Sequence, residues 1–270
     1  MSDEIRDYYN AHAEQEHRRL ELAHCRIEFA STLRLIDKYF PKAGRVCDIG
    51  AATGRYSLEL LRRGYTVTML DLSAAELALA AQELQKSGVA AEQAIVGDAR
   101  DLSMLSTGSF EAALLLGPMY HIIEAAGRAQ ALAELRRVLK PQGVAIIAYL
   151  NSWGVIRTGM TDSPEHFEDL DRARSLMQDH AFPGNTLSSW TEAYSSTPPS
   201  ALREVQEAGF EIVSYAGAES FAGGLHTLLG QLMLELPKAY ENILTLAAET
   251  CEAPQYRDSA DHLHIVARAG

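Results

Sequence analysis

The sequence predicts an α/β protein built on one mostly parallel sheet with helices on both faces. Three observations carry that expectation. Short apolar runs alternate with helical stretches from residue 45 onward, a turn of small residues joins the first run to the first helix, and acids close three successive runs. Strands joined through helices run parallel, and a parallel sheet is covered on both faces.

The elements follow in order. Residues 3–38 hold no Pro or Gly and are rich in Glu, Arg, Leu and Ala, which predicts one or two amphipathic helices. Pro41 and Gly44 end that pattern. Residues 45–49 form a strand, and 56–63 a helix stopped by Gly64. The second strand covers 66–70. Ser73-Ala-Ala-Glu76 then reads as a capping box, in which hydroxyl and carboxylate each satisfy an orphan amide. That helix runs to about residue 86, ahead of Gly88. Residues 94–96 and 112–116 are the third and fourth strands. A helix over 128–139 ends at Lys140-Pro-Gln-Gly143, and 144–150 is the fifth strand. A helix over 200–208, a strand over 210–215, a mostly helical stretch near 224–250 and a strand over 262–267 bring the sheet to seven strands.

With 270 residues, the chain reads as one domain with a core at 41–151. Residues 152–197 and 217–257 read as insertions on the sheet, since neither can bury a core alone, with 198–216 and 258–270 as its last elements. Apolar residues are 47% and charged residues 22%, ordinary globular usage. No apolar run approaches the ~18 residues of a membrane span. The acidic start, Ser2-Asp-Glu-Ile-Arg-Asp7, is unlike a signal peptide. A soluble cytoplasmic protein with no membrane partner is expected.

Acids number 36 against 24 Lys and Arg, a net charge of −12 with no basic patch, which disfavours a nucleic-acid partner. The excess is uneven: residues 151–270 carry 17 acids and seven bases, and the run from Asp162 to Asp171 alone holds five acids. If that half walls the substrate site, it favours neutral-to-cationic substrates. Cys25, Cys47 and Cys251 are too few and too scattered for a disulfide framework or a zinc site, and read as reduced thiols. His262 and His264 share one face of the last strand, with no third ligand in view, so no metal is expected.

The most informative segment is Val46-Cys-Asp-Ile-Gly-Ala-Ala-Thr-Gly-Arg-Tyr56. Its small residues allow close backbone approach to a ligand, so a bulkier residue at Gly50 should abolish binding and leave the fold intact. A dinucleotide fingerprint needs Gly where Ala52 and Arg55 stand, and a phosphate loop needs a Lys after Gly54. Asp48 beside the loop repels a pyrophosphate and favours an ammonium or sulfonium. Asp71, 17 residues past Gly54, is placed for a ribose diol. Asp98, in Gly97-Asp-Ala-Arg-Asp101, could accept the exocyclic amine of adenine. Together the three acids outline one cationic nucleoside ligand.

On these residues the chain resembles the class I S-adenosylmethionine-dependent methyltransferases, in the small-molecule branch that includes ubiquinone and menaquinone C-methyltransferases. Asp48, Gly50 and Gly54 match the first motif, Asp71-Leu-Ser73 the second, Gly97-Asp-Ala99 the adenine motif, and Leu139-Lys-Pro-Gln-Gly143 the turn before the fifth strand. Ala52 stands where a glycine is usual, and Glu111 where an aspartate is. The resemblance implies a Rossmann-like, doubly wound sheet with residues 1–40 as a helical lid. It implies S-adenosylmethionine as cofactor, surrounded by Asp48, Gly50, Ala51, Ala52, Gly54, Asp71, Leu72, Asp98, Ala99 and Leu116. The reaction implied is methyl transfer to a small-molecule acceptor. An NAD(P)-dependent oxidoreductase on a similar sheet, or a cofactor-binding protein without chemistry, is the competing reading.

Methyl transfer from a sulfonium is an in-line displacement, in which a protein mainly aligns and desolvates. Tyr120 and His121, after the fourth strand, stand at the sheet edge where α/β folds bind ligands, and His121 is the candidate base. Tyr8, Tyr9, His24 and Arg26 are candidates to close the site from the N-terminal helices. Trp153, Trp190 and Tyr194 are aromatic candidates for a substrate wall.

Overall fold

The computed structural model describes residues 3–182 and 191–270. Its nine strands are β1 (Arg45–Ile49), β2 (Thr66–Asp71), β3 (Gln93–Val96), β4 (Phe110–Leu115), β5 (Leu139–Asn151), β6 (His180–Phe182), β7 (Ala193–Ser196), β8 (Phe210–Gly217) and β9 (His262–Ala269). Strands β3-β2-β1-β4-β5 lie side by side and parallel. β9 then runs antiparallel to β5, and β8 antiparallel to β9.

The seven expected strands are therefore present, and two short ones are added inside the 152–197 stretch. β6 and β7 pair with each other, and β7 joins only the last two residues of β5, Leu150 and Asn151. Those residues pair with β7 on the side that β4 occupies lower down, β4 having already ended at Leu115 opposite Ile147. The predicted turn at 140–143 lies inside β5 as a bulge. Pairing jumps from Phe110–Leu139 to Ala112–Val144, with Gln142 left-handed at φ +67°.

The helices are α1 (Asp3–Arg19), α2 (Ala23–Tyr39), α3 (Arg55–Arg62), α4 (Ala74–Lys86), α5 (Pro118–His121), α6 (Ala125–Val138), α7 (Ser152–Asp162), α8 (Leu170–Ser175), α9 (Pro198–Glu207), α10 (His226–Glu235), α11 (Pro237–Thr250) and α12 (Pro254–Arg257). Side chains alternate across the sheet with period two. Cys47, Ile49, Ala113 and Leu115 pack with Leu132 and Leu135 of α6 and Val205 of α9. Val46, Val67, Met69 and Leu114 pack on the other face with Leu35 and Ile36 of α2, Leu60 of α3 and Leu77 of α4. Apolar residues on both faces are what a sheet wound on two sides requires. The C-terminal ends of β1 and β4 face a crevice at the point where strand order reverses.

The turn after β1 is built on two glycines and one alanine in the left-handed region: Gly50 at φ +81°, Ala52 at +46° and Gly54 at +80°. A Cβ on Gly50 would lie 2.6 Å from the Leu116 carbonyl oxygen and 2.7 Å from Pro118 Cδ. A Cβ on Gly54 would lie 2.9 Å from that of Ala80 on α4. Both glycines thus serve packing between elements, which corrects the expectation that a larger residue at Gly50 leaves the fold intact. Gly50→Ala should lower unfolding stability by about 2 kcal/mol or more, from left-handed strain plus the clash with Leu116 and Pro118 just after β4. Urea titration of that variant against Ala52→Gly, which relieves strain and should not destabilise by more than about 1 kcal/mol, checks the assignment.

Candidate active site

One cavity of about 510 Å³ opens at the carboxyl ends of the strands, within the ~300–1,000 Å³ usual for small-molecule sites. Gly50, Ala51, Ala52, Asp71, Leu72, Ala99 and Leu116 of the predicted cofactor set line it, together with Tyr120 and His121. Asp48, Gly54 and Asp98 do not. Asp48 lies behind the loop, where Oδ2 accepts from Ser57 Oγ at 2.6 Å and Oδ1 has no hydrogen-bond partner among the described residues. Burial, with a smaller contribution from Asp71, raises its pKa to about 6. Asp98 is drawn to Arg100, whose Nη2 lies 2.6 Å from Oδ2. Burial opposes ionisation, but the guanidinium prevails and holds the carboxyl at about 2. The carboxylate expected to reach adenine is occupied by its neighbour two residues on.

Asp71 ends β2 and holds two segments at once. Oδ2 accepts from the Ala52 amide at 2.8 Å, and Oδ1 from the Ser73 amide at 2.8 Å. Each oxygen keeps a second lone pair for a ligand. Because Asp71 takes the Ser73 amide, only half of the expected capping box forms. Ser73 Oγ accepts from Glu76 N at 3.2 Å, while the Glu76 carboxyl turns into the cavity, with Oε1 buried and without a hydrogen-bond partner. Burial raises the Glu76 pKa to about 9, reinforced by Asp71 and Glu16. Glu76 is a site residue that the capping pattern concealed.

Helices α1 and α2 cover the cavity. Asn10 Oδ1 accepts from Ser73 Oγ at 2.9 Å, and His17 Nδ1 lies 3.0 Å from Thr53 Oγ1. Tyr9 hydroxyl lies 2.8 Å from His121 Nε2, and Thr191 Oγ1 3.3 Å from Nδ1. Burial lowers the His121 pKa to about 4, so the imidazole is neutral at ordinary pH. Tyr9 and His24 line the cavity. Tyr8 instead bonds to Glu16, and Arg26 turns to Glu241 and the Tyr240 ring. Glu16 and Arg19 of α1, paired at 2.6 Å, add a part-buried ion pair that the helical pattern gave no reason to single out.

The far end of the cavity is lined by Glu28, Asp162, Glu219, His226, Asp261 and His262. His262 Nδ1 lies 2.6 Å from Glu219 Oε1, and its amide donates to Oε2 at 3.0 Å. Burial opposes protonation of His262, but Glu28 and Glu219 raise its pKa to about 10. His226 bridges Asp162 and Asp261 at 3.2 and 3.1 Å and stacks on His24. Of the acidic run 162–171, only Asp162 reaches the cavity; Asp169 caps α8 and Asp171 pairs with Arg174 on the surface. Of the aromatic candidates, Trp153 is exposed and Tyr194 stacks against Arg128, while Trp190 lies outside the described residues. The carboxylates missing from view beside His262 and His264 are Glu28 of α2 and Glu219, which follows β8.

Residues 46–143 match the family profile described as a methyltransferase domain. The chain is 24% identical over 237 residues to tRNA 5-carboxymethoxyuridine methyltransferase of Escherichia coli, covering 87% of this chain and 84% of that one. It is 32% identical over 126 residues to glycine/sarcosine N-methyltransferase of Halorhodospira halochloris, covering 46% and 47%. The fold is shared with Burkholderia thailandensis 1,6-didemethyltoxoflavin-N1-methyltransferase, solved with S-adenosylhomocysteine, at TM-score 0.61, 16% identity and coverage of 98% and 87%. The chain carries a methyltransferase domain on the class I S-adenosylmethionine-dependent fold and is an enzyme of that kind.

The Glu76 carboxyl has a pH signature. Folded, it keeps a proton up to about pH 9, whereas an ordinary glutamate releases it near 4.5. Between those values the folded state binds the extra proton, so stability falls as pH rises. Glu76→Gln, which stays neutral, should melt progressively higher than the parent across pH 4.5 to 9, with no advantage at the acid end. Parallel melting curves over that window would contradict the assignment.

Proposed function

We propose that this S-adenosylmethionine-dependent methyltransferase acts on a small, neutral-to-cationic acceptor through a nitrogen or oxygen atom. The observation that carries the reading is the balance of charge in the cavity. Among the described residues, seven carboxyl groups line it (Glu16, Glu28, Asp71, Glu76, Asp162, Glu219 and Asp261), of which Glu76 keeps its proton, against Arg19, Arg55 and the protonated His262, so acids still predominate. A walled site of that sign raises the local concentration of cations and repels anions.

Asp71 would hold the cofactor's ribose diol, Leu72, Ala99 and Leu116 its adenosyl group, and the turn of Gly50, Ala51 and Ala52 its methionine end. Tyr120 and His121 would lie on the side of methyl transfer, and the acceptor would enter from the end formed by Glu28, Glu219 and His262. Alignment and exclusion of water by α1 and α2 supply most of the rate. The neutral His121 imidazole has both ring nitrogens engaged, Nε2 by the Tyr9 hydroxyl and Nδ1 by Thr191, so its part is to hold Tyr9 on the cavity wall rather than to take the acceptor's proton.

The tRNA acceptor of the Escherichia coli relative is the competing reading. A phosphate backbone would have to approach a chain of net charge −12, and the half that closes the acceptor end carries most of that excess. All three cysteines are buried free thiols, in keeping with work in the reducing cytoplasm. Among the described residues, no helix is long and apolar enough to cross a membrane.

Asp71→Ala should weaken S-adenosylmethionine binding by about 1–3 kcal/mol, the worth of a charge-assisted contact; calorimetry with unchanged affinity would remove Asp71 from the ribose. For the acceptor, methyl-labelled cofactor is offered with panels of amines, carboxylates and tRNA. Labelled amines or neutral nucleophiles are expected. Turnover of cationic acceptors should fall with added salt as the Debye length shrinks below ~8 Å. Preferential labelling of tRNA or a multiply charged anion overturns the reading.

A further inference from the structure

We infer that Glu76 is a further cofactor-binding residue, whose carboxyl hydrogen-bonds to the ribose of S-adenosylmethionine beside Asp71. The inference rests on the ribose placement given under the proposed function and adds a second acid to it.

Glu76 stands in the first turn of α4, shortly after Asp71 at the end of β2, and both side chains line the cavity. Only 3% of Glu76 is exposed, and its Oε1 is buried without a hydrogen-bond partner among the described residues. A glutamate at this point of a helix would ordinarily reach back to the Ser73 amide. Asp71 Oδ1 already holds that amide at 2.8 Å, so the Glu76 carboxyl is left facing the cavity. A polar group buried without a partner costs free energy, which a ligand that pairs with it recovers.

The charges around Glu76 decide which way that hydrogen bond runs. The groups acting on it are Asp71 of β2 and Glu16 and Arg19 of α1, and Tyr8 and Tyr9 of α1 feel it in turn. β3 carries no titratable side chain, and α3 meets the far end of α4, where Arg62 bonds to Ser87. Burial first, then Asp71 and Glu16 against a single guanidinium, keep the Glu76 proton in place up to about pH 9. Asp71 is the better seat for negative charge, because it accepts from two backbone amides.

One neighbour therefore accepts and the other donates. A ribose hydroxyl that gives its hydrogen to Asp71 keeps lone pairs, and one of these can accept from the Glu76 carboxyl. Two ionised carboxylates on one diol would repel each other, whereas a neutral Glu76 lets both acids touch the same sugar. Cofactor affinity then depends on the Glu76 proton.

Calorimetry tests the contact with two ligands that bind without turnover. One is S-adenosylhomocysteine; the other is 5′-methylthioadenosine, which has the nucleoside but no amino-acid end. Glu76→Leu, similar in size but without oxygens, should weaken both ligands about fivefold or more at neutral pH, with the circular dichroism of the parent. Glu76→Gln still donates but cannot ionise, and should bind within about twofold of the parent there. Above pH 9 the parent should lose affinity relative to Glu76→Gln, a ratio from which titration of the ligand's own amine cancels. Glu76→Leu binding as the parent does, or parent and Glu76→Gln weakening in parallel, would overturn the contact. So would an effect seen with S-adenosylhomocysteine and absent with 5′-methylthioadenosine, which would move Glu76 off the ribose. Asp71→Ala in the same assay separates the two readings. Unchanged affinity in that variant counts against the ribose placement itself, whereas a loss there beside a normal Glu76→Leu overturns the Glu76 contact alone.

Discussion

The grip of Asp71 on two backbone amides is the contact from which the rest of the site is arranged. Through Ala52 it fixes the turn after β1, and through Ser73 it fixes the start of α4. Ser73, so placed, uses its hydroxyl on both Glu76 N and Asn10, which brings α1 down over the crevice. With the Ser73 amide already taken, Glu76 has no capping role left and faces the cavity. One carboxylate at a strand end thereby sets the loop, the helix start and the cover together.

That arrangement gathers negative charge where water is scarce. Glu76 responds by keeping its proton, and the same burial raises Asp48, behind the loop, to about 6. Asp261 is instead held ionised by His226 beside it, while Glu16 and Glu219 each have a cation as partner, Arg19 and His262. The cavity is therefore graded. Its cofactor end holds one protonated acid, Glu76, able to donate a hydrogen bond, and its acceptor end holds carboxyl groups paired with histidine.

Periodicity made the frame of this protein legible. Both faces of β1, β2, β4 and β5 read as apolar, and glycines marked the turns. β6 and β7 escaped because they are three and four residues long, and β7 is largely polar, with Ser195 and Ser196 buried only by pairing with the end of β5. At the site, spacing located acids on strand ends but not their partners. Asp98 is spent on Arg100, and no pattern distinguishes that rotamer from one reaching ligand. The shared face of His262 and His264 was legible, whereas Glu28 comes from a helix more than two hundred residues earlier. Cavity walls assembled from distant segments carry no local signal, and composition alone suggested that this one would be acidic.

The joining of α2 to β9 bears on the order in which the molecule is built. Thr32 bonds to His264 across 232 residues, and Tyr240 to the Ala23 carbonyl oxygen across 217. Ala23 and Ile27 of α2 are buried against Leu229, Tyr240 and Ala247, so this face has no partner until α10 and α11 have formed. Contacts of such long sequence separation close late, because the loop entropy must be overcome before they contribute. A ribosome releases α2 early, and its Leu35–Ile36 face can settle on β1 and α3 at once, yet its Ala23–Ile27 face must wait for almost the entire chain. The acceptor end of the cavity, which needs α2, α10 and β9 together, is incomplete until then.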